Sequence, residues 1–209
     1  MDTKESIISK RCYRKNVLGD TFSLYISNYP VAVTYLGKRI GDTEKTFAEL
    51  CCGIGITLEY IAEGFKKVIG VDIDKKILQY CEENLDNTGM KDKANLILWD
   101  INDDAILKSI TADIVAYDIP FWFPHENLGK GDLTSQNPDL KVIIKKIQKY
   151  ISKDIIIFCP PQTNYEIIQK EVGVCEFEKV FINGRYDRNH IYLGWLMQKE
   201  WITEINLTI

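Results

Sequence analysis

The chain is short of histidine, of paired cysteines, of long apolar runs and of surplus basic charge, and each shortage removes a class of protein. Two histidines, His125 and His190, accompany six cysteines that never form a Cys-x-x-Cys pair, so no metal site is expected. Cys12, Cys51, Cys52, Cys81, Cys159 and Cys175 read as reduced thiols, since several fall in or beside apolar stretches suited to core strands. No apolar run approaches the roughly 18 residues of a membrane span. The opening Met1-Asp2-Thr3-Lys4-Glu5 lacks the basic-then-apolar pattern of a signal peptide, and a cytoplasmic location is expected. Lysine and arginine total 26 against 30 aspartates and glutamates, a net charge of −4, unlike a protein that grips duplex DNA by its phosphates.

The basic residues are nevertheless grouped. Lys10, Arg11, Arg14 and Lys15 lie near the start, Lys38 and Arg39 precede the first strand, and Lys141, Lys145, Lys146 and Lys149 share a predicted helix. A solvated helix face is the simplest reading of the last group, with a local basic rim around an acidic pocket as the other.

At 209 residues, 45% hydrophobic and 27% charged, the chain can bury one substantial core. Repeats, low-complexity tracts and linkers are missing. One globular unit is expected: a helical or extended opening segment, residues 1–40, packed on a domain of residues 41–209. Within that domain strand and helix patterns alternate. Residues 46–50 read as a strand, Ile56 opens a helix, and residues 68–71 form a strand ending on Asp72. Lys75–Asn87 is a helix, residues 95–99 a strand ending on Asp100, residues 103–110 a short helix, and residues 113–117 a strand ending on Asp118. Pro138 sits in the first turn of a helix running to Ile151, and Asp154–Cys159 is a buried strand. After a helix at 165–171, strands at Glu176–Ile182 and 191–197 are joined through residues 183–189. The expected fold is α/β: a doubly wound, mostly parallel, seven-stranded sheet closed by an antiparallel hairpin, the arrangement of class I methyltransferases. Ile69, Val71, Leu96, Leu98, Ile114, Val115, Ile155, Ile156, Ile157, Phe158 and Leu193 are its core candidates.

Glu49-Leu50-Cys51-Cys52-Gly53-Ile54-Gly55 carries the most chemistry. It joins a strand to a helix through a turn in which Gly53 and Gly55 let a ligand approach the backbone. About 20 residues on, Asp72 ends the next strand, the spacing at which a carboxylate binds ribose hydroxyls in nucleotide-binding α/β folds. Leu58 stands where a dinucleotide fingerprint has its third glycine, and Glu49 would repel a pyrophosphate. Both favour an adenosine cofactor that carries an amine and no phosphate. S-adenosylmethionine fits and NAD does not. Gly53 and Gly55 would flank its methionine part, Glu49 its amine, Asp72 its ribose and Asp100 its adenine.

Glu49, Asp72, Asp100 and Asp118 all stand at strand ends, where ligands bind in such sheets. Asp118-Ile119-Pro120-Phe121 resembles the Asp/Asn/Ser-Pro-Pro-aromatic motif of enzymes that methylate exocyclic amines. An aryl amine is a poor nucleophile, because its lone pair is delocalised into the ring. A side-chain oxygen and a rigid backbone carbonyl that accept its N–H bonds favour the pyramidal geometry of attack. Asp118 and Pro120 would do this while Phe121 stacks on the base, helped by Trp122 and Phe123. Ile119 replaces the first proline, which implies a looser loop. His125 and Glu126 lie near enough in sequence to take up a proton. Cys159-Pro160-Pro161 offers a rival, a nucleophilic cysteine as in cytosine-C5 chemistry, against the commoner reading of a buried strand thiol.

With these residues placed, the chain resembles the trimethylguanosine synthase family of cap guanine-N2 methyltransferases between about Ser23 and Lys199. Glu49–Gly55 resembles the family's acidic turn, Val71-Asp72-Ile73-Asp74 its second acidic motif, and Asp100 its adenine-binding position. The hairpin residues Phe177-Glu178-Lys179-Val180-Phe181-Ile182-Asn183 with Tyr192-Leu193-Gly194, and Ser27-Asn28-Tyr29-Pro30, resemble more family-specific segments, and the latter makes Tyr29 a substrate-binding candidate. The family's Ser-Pro-Pro-Trp is Asp118-Ile119-Pro120-Phe121 here. The resemblance implies S-adenosylmethionine as cofactor and guanine N2 of RNA as acceptor; the local basic charge of Lys10, Arg11, Arg14 and Lys15 would hold the RNA's phosphates. Adenine N6 of nucleic acid, a small-molecule or protein amide acceptor, or an inactive cofactor-binding module for RNA or protein are the alternatives.

Overall fold

The structure, a computed structural model, describes residues 16–41, 43–119 and 139–209. Expectations for Lys10, Arg11, Cys12, Arg14, Lys15, Pro120, Phe121, Trp122, Phe123, His125, Glu126 and Pro138 lie outside the described residues. Two compact units emerge, Met1–Asp100 with Ile209, and Ile101–Thr208.

In the first unit, Asp20 accepts the Ser23 N–H at 2.8 Å and starts α1 (Thr21–Ile26). Pro30, whose missing N–H costs nothing in a first turn, opens α2 (Pro30–Ile40). Strands β1 (Thr43–Leu50), β2 (Phe65–Asp72) and β3 (Ala94–Leu98) are parallel in the order β3-β2-β1, with Leu50 beside Val71 and Asp72 beside Leu98. Between them run α3 (Ile56–Ile61) and α4 (Lys75–Asn87). Asp74 caps α4 by accepting the Lys76 and Ile77 N–H groups at 2.8 and 3.2 Å. Leu36, Phe47, Leu50, Leu58, Val68, Val71 and Leu85 are fully buried and form this unit's core. Leu98 does not join it: 47% of the side chain is exposed, because β3 ends the strand order and packs only on one side.

The second unit contains α5 (Asp104–Ser109), β4 (Ile114–Asp118), α6 (Leu140–Tyr150), β5 (Asp154–Cys159), α7 (Tyr165–Val172), β6 (Glu176–Ile182), β7 (Arg185–Leu193) and β8 (Ile202–Leu207). Its strand order is β4-β5-β7-β6-β8. β4 and β5 are parallel, β7 runs antiparallel between β5 and β6, and β8 lies parallel to β6. The fold is therefore a mostly parallel α/β arrangement with an antiparallel hairpin, as expected, but the described residues form eight strands rather than seven.

Two differences have local causes. The connection expected over residues 183–189 is only the pair Asn183-Gly184, with φ of 50° and 76°, and β7 begins at Arg185 instead of Ile191. Two left-handed residues match the twist of a tight hairpin, so pairing resumes at once. β7 also stops at Leu193, since Gly194 turns away with φ +70° where a Cβ would lie 2.4 Å from Asp154 Oδ1. β8 escaped notice because its residues alternate between exposed and half-buried without one that is fully buried. Buried Glu176 guides the chain there, accepting the Gln198 and Lys199 N–H groups at 2.7 and 3.1 Å. Among the described residues no helix is long and apolar enough to cross a membrane.

Candidate cofactor and acceptor sites

The glycine turn and the Asp72 carboxylate form one hydrogen-bonded structure in the first unit. The Gly53 N–H donates to Asp72 Oδ2 at 2.9 Å, and the Asp74 N–H donates to Asp72 Oδ1 at 3.0 Å. Each carboxylate oxygen keeps acceptor capacity for a further donor. Burial raises the pKa of Asp72 above its usual 3.8, while the backbone N–H groups of Asp74, Gly53 and Ile73 oppose that rise.

The two glycines serve different ends. Gly55, φ +82°, caps α3, and a Cβ there would lie 2.4 Å from Cys81 Sγ. The protein's own packing demands that glycine. Gly53, φ +55°, would point a Cβ into open space, so the turn leaves room on that side. Gly55→Ala should cost about 2–4 kcal/mol, combining left-handed strain with overpacking. Adding Cys81→Ala should recover the packing part, as read from urea midpoints of the single and double variants.

Three of the turn's N–H groups are already committed. Cys52 donates to Val71 O at 3.0 Å, Gly55 to Cys52 O at 3.1 Å, and Gly53 to Asp72. A phosphate would find these donors taken and the carboxylates of Glu49 and Glu59, each 1% exposed, close by in sequence. The Cys52 thiol is pushed well up by its hydrogen bond with the Cys81 thiol, then by burial, with the charges of Asp72 and Glu49 adding to the rise. A turn bordered by carboxylates fits a ligand that brings an amine and hydroxyls. The residues present suit S-adenosylmethionine.

Asp100 is exposed just beyond β3, and the preceding Trp99 donates its N–H to Asp72 O at 3.0 Å. Two apolar side chains missed by sequence reasoning accompany these acids. Ile73 is 68% exposed and Trp99 43% exposed. Large apolar residues placed directly after a strand-end acid and directly before another were the available signal. Tyr29 is buried in the first unit at 7% exposure, beside Asn28, whose Nδ2 donates to Thr57 Oγ1 at 2.9 Å.

In the second unit Asp118 ends β4, half-buried and in register with Phe158 of β5. Ile119, in the place of the motif's first proline, is buried: its side chain is 1% exposed and its N–H reaches Phe158 O at 3.4 Å, while the loop that follows lies outside the described residues. Apolar burial supplies here the restraint that proline's ring would give. Cys159 is fully buried, and burial followed by the charge of Asp118 pushes its thiol well up, with the Thr163 hydroxyl opposing. A neutral buried thiol beside a carboxylate is a poor nucleophile, against the cytosine-C5 rival. Fully buried Asn189 donates to Pro160 O at 2.7 Å and accepts from the Tyr186 hydroxyl, which braces the backbone after Cys159.

Residues 44–194 match the family model of the RNA cap guanine-N2 methyltransferases. The chain belongs to that family. Glu49, Asp72, Asp118 and the closing hairpin all fall within the matched span. This guanine-N2 methyltransferase family member is also similar to the ribosomal protein L11 methyltransferase of Aeromonas hydrophila, 30% identical over 110 residues, 47% of this chain and 38% of that relative. In fold it is similar to a methyltransferase-like protein of Porphyromonas gingivalis W83, with TM-score 0.73 and 15% identity over 90% of this chain and 47% of that one. A methyltransferase-like protein of Streptococcus mutans, solved in complex with SAH, gives TM-score 0.55 and 14% identity over 80% of this chain and 99% of that one. The chain spans less than half the length of the Aeromonas and Porphyromonas proteins.

Proposed function

We propose that this methyltransferase-family chain moves a methyl group from S-adenosylmethionine to the exocyclic N2 of guanine in RNA. The observation that supports it most is the carboxylate-bordered turn, whose committed N–H groups turn away phosphates, within a span that matches the guanine-N2 family model. S-adenosylmethionine supplies the electrophilic methyl on its sulfonium sulfur. Glu49 answers the amine of its methionine part, the free acceptor positions of Asp72 take the ribose hydroxyls, and Asp100 takes the adenine amino group. Ile73 and Trp99 offer the apolar surface that an adenine ring needs.

At the acceptor end, Asp118 accepts one N–H of the amine and Pro120 presents a backbone carbonyl to the other. Phe121 stacks on the base with Trp122 and Phe123. A carboxylate at Asp118 can also take the proton that the methylated nitrogen sheds. The basic residues Lys10, Arg11, Arg14 and Lys15 hold phosphates locally in an acidic protein. Inosine lacks the N2 amine and is otherwise guanosine-like, which gives a direct test. Transfer of labelled methyl should proceed to guanosine-containing RNA and fall to background when inosine replaces every guanosine. Equal transfer to both RNAs would move the acceptor to another atom.

A further inference from the structure

The outward face of α6 is unusually cationic for a chain of net charge −4. Leu140, Ile143, Ile144 and Ile147 are buried, which turns Lys141, Lys145 and Lys149 outward, and all three are exposed. They recur every fourth residue, about 6 Å apart along the helix. The carboxylates bordering this stripe are already engaged: Asp104 Oδ1 lies 2.7 Å from Lys146 Nζ, and Glu171 Oε2 lies 3.7 Å from Lys141 Nζ. Among the described residues Lys145 and Lys149 form no ion pair. At the stripe's end the half-exposed Tyr150 ring has two ammonium groups over it, Lys149 Nζ at 4.8 Å and Lys108 Nζ at 5.2 Å from its centroid.

Cations gathered around one aromatic ring, with neighbouring acids already occupied, suit a polyanion that also brings flat rings. Single-stranded nucleic acid has both properties, since its phosphates repeat along a flexible chain and its bases stack on aromatic side chains. An acidic protein segment would satisfy the lysines too, but RNA is the polyanion that the proposed reaction already brings to this chain. We propose that Lys108, Lys145, Lys149 and Tyr150 form a docking surface for single-stranded RNA, with Lys141 extending it along α6. The surface holds the strand by its backbone, outside the residues assigned to cofactor and acceptor, and it rests on the RNA reading above.

The test compares wild type, the double charge reversal Lys145→Glu/Lys149→Glu, and a control reversal of equal charge, Lys66→Glu/Lys67→Glu, on the exposed part of β2. The probe is a mixed-sequence single-stranded RNA oligonucleotide, with affinity measured across a salt series. Losing two phosphate contacts should weaken binding about tenfold or more and reduce the slope of log K against log salt by about 1.4. The control should stay within about twofold, and SAH affinity should be unchanged in all three proteins. Lys145→Gln/Lys149→Gln, which removes charge while keeping helix propensity, should give a smaller loss in the same direction. Equal weakening by both reversals would reduce the effect to net charge and overturn the proposal. Unchanged RNA affinity in the stripe variants, or no RNA affinity in the wild type, would overturn it as well. The underlying guanine-N2 reading stands or falls separately on whether wild-type protein methylates guanosine-containing RNA.

Discussion

Asp118→Ala should reduce methyl transfer to RNA by about a hundredfold or more while leaving SAH affinity within about twofold of wild type. Its position at the end of β4, with Ile119 buried and hydrogen-bonded beside β5, gives the carboxylate a fixed base from which to orient a weak nucleophile. The loss falls on the transition state, because an amine needs its N–H bonds held only as it turns pyramidal. Asp118→Asn keeps an acceptor oxygen without the charge, so its loss should be smaller. Single-turnover transfer with pre-bound labelled cofactor, beside calorimetry with SAH, separates the two quantities. A module that binds the cofactor without chemistry would show no turnover in the wild type and no change on substitution.

Asp72→Ala should weaken cofactor binding by about a hundredfold or more. Two charge-assisted hydrogen bonds to ribose hydroxyls disappear, each worth about 1.5–3 kcal/mol. The substitution also strips the Gly53 and Asp74 N–H groups of their acceptor, so the turn loses its tie to β2. Asp72→Asn keeps one acceptor oxygen and should fall between wild type and Asp72→Ala. Burial raises the Asp72 pKa, and this fixes the sign of the pH dependence. Donor hydroxyls favour the ionised carboxylate, so affinity is full above that pKa and falls as pH drops through it, up to tenfold per unit. For the free protein the sign is reversed: Asp72's contribution to folding stability is fully present below its unfolded pKa and is lost as pH rises through the raised folded value. Calorimetry with SAH as pH is lowered from neutral through the raised Asp72 pKa should show the affinity loss in wild type and a flatter profile in Asp72→Asn.

Local signals account for the parts of the fold that were legible in the sequence. Lys75–Asn87 was readable end to end because Asp74 caps its start and Asn87-Thr88-Gly89 stops it. Asp154–Cys159 announced itself as an unbroken apolar run, as a strand buried on both faces does. The early start of β7 depended on how Asn183-Gly184 would turn, and the polar residues after it resemble a loop until they pair with β6. Leu98 looked like core because strand pattern alone does not say which strand ends the order.

At the cofactor site, the acids were legible from spacing. The bond from Gly53 to Asp72 was not, since it joins residues 19 apart in sequence through the packing of two strands. Ile119 shows the same limit: proline's rigidity is visible in a sequence, whereas an isoleucine's restraint depends on what buries it.

The destination of the methyl group separates guanine-N2 transfer from every alternative. Wild-type protein, labelled S-adenosylmethionine and total RNA, DNA and protein extract, followed by digestion and nucleoside analysis, measure that directly. Label on N2-methylguanosine from the RNA fraction is the expected result. Label confined to protein or small molecules, or to a different nucleoside, would contradict the account.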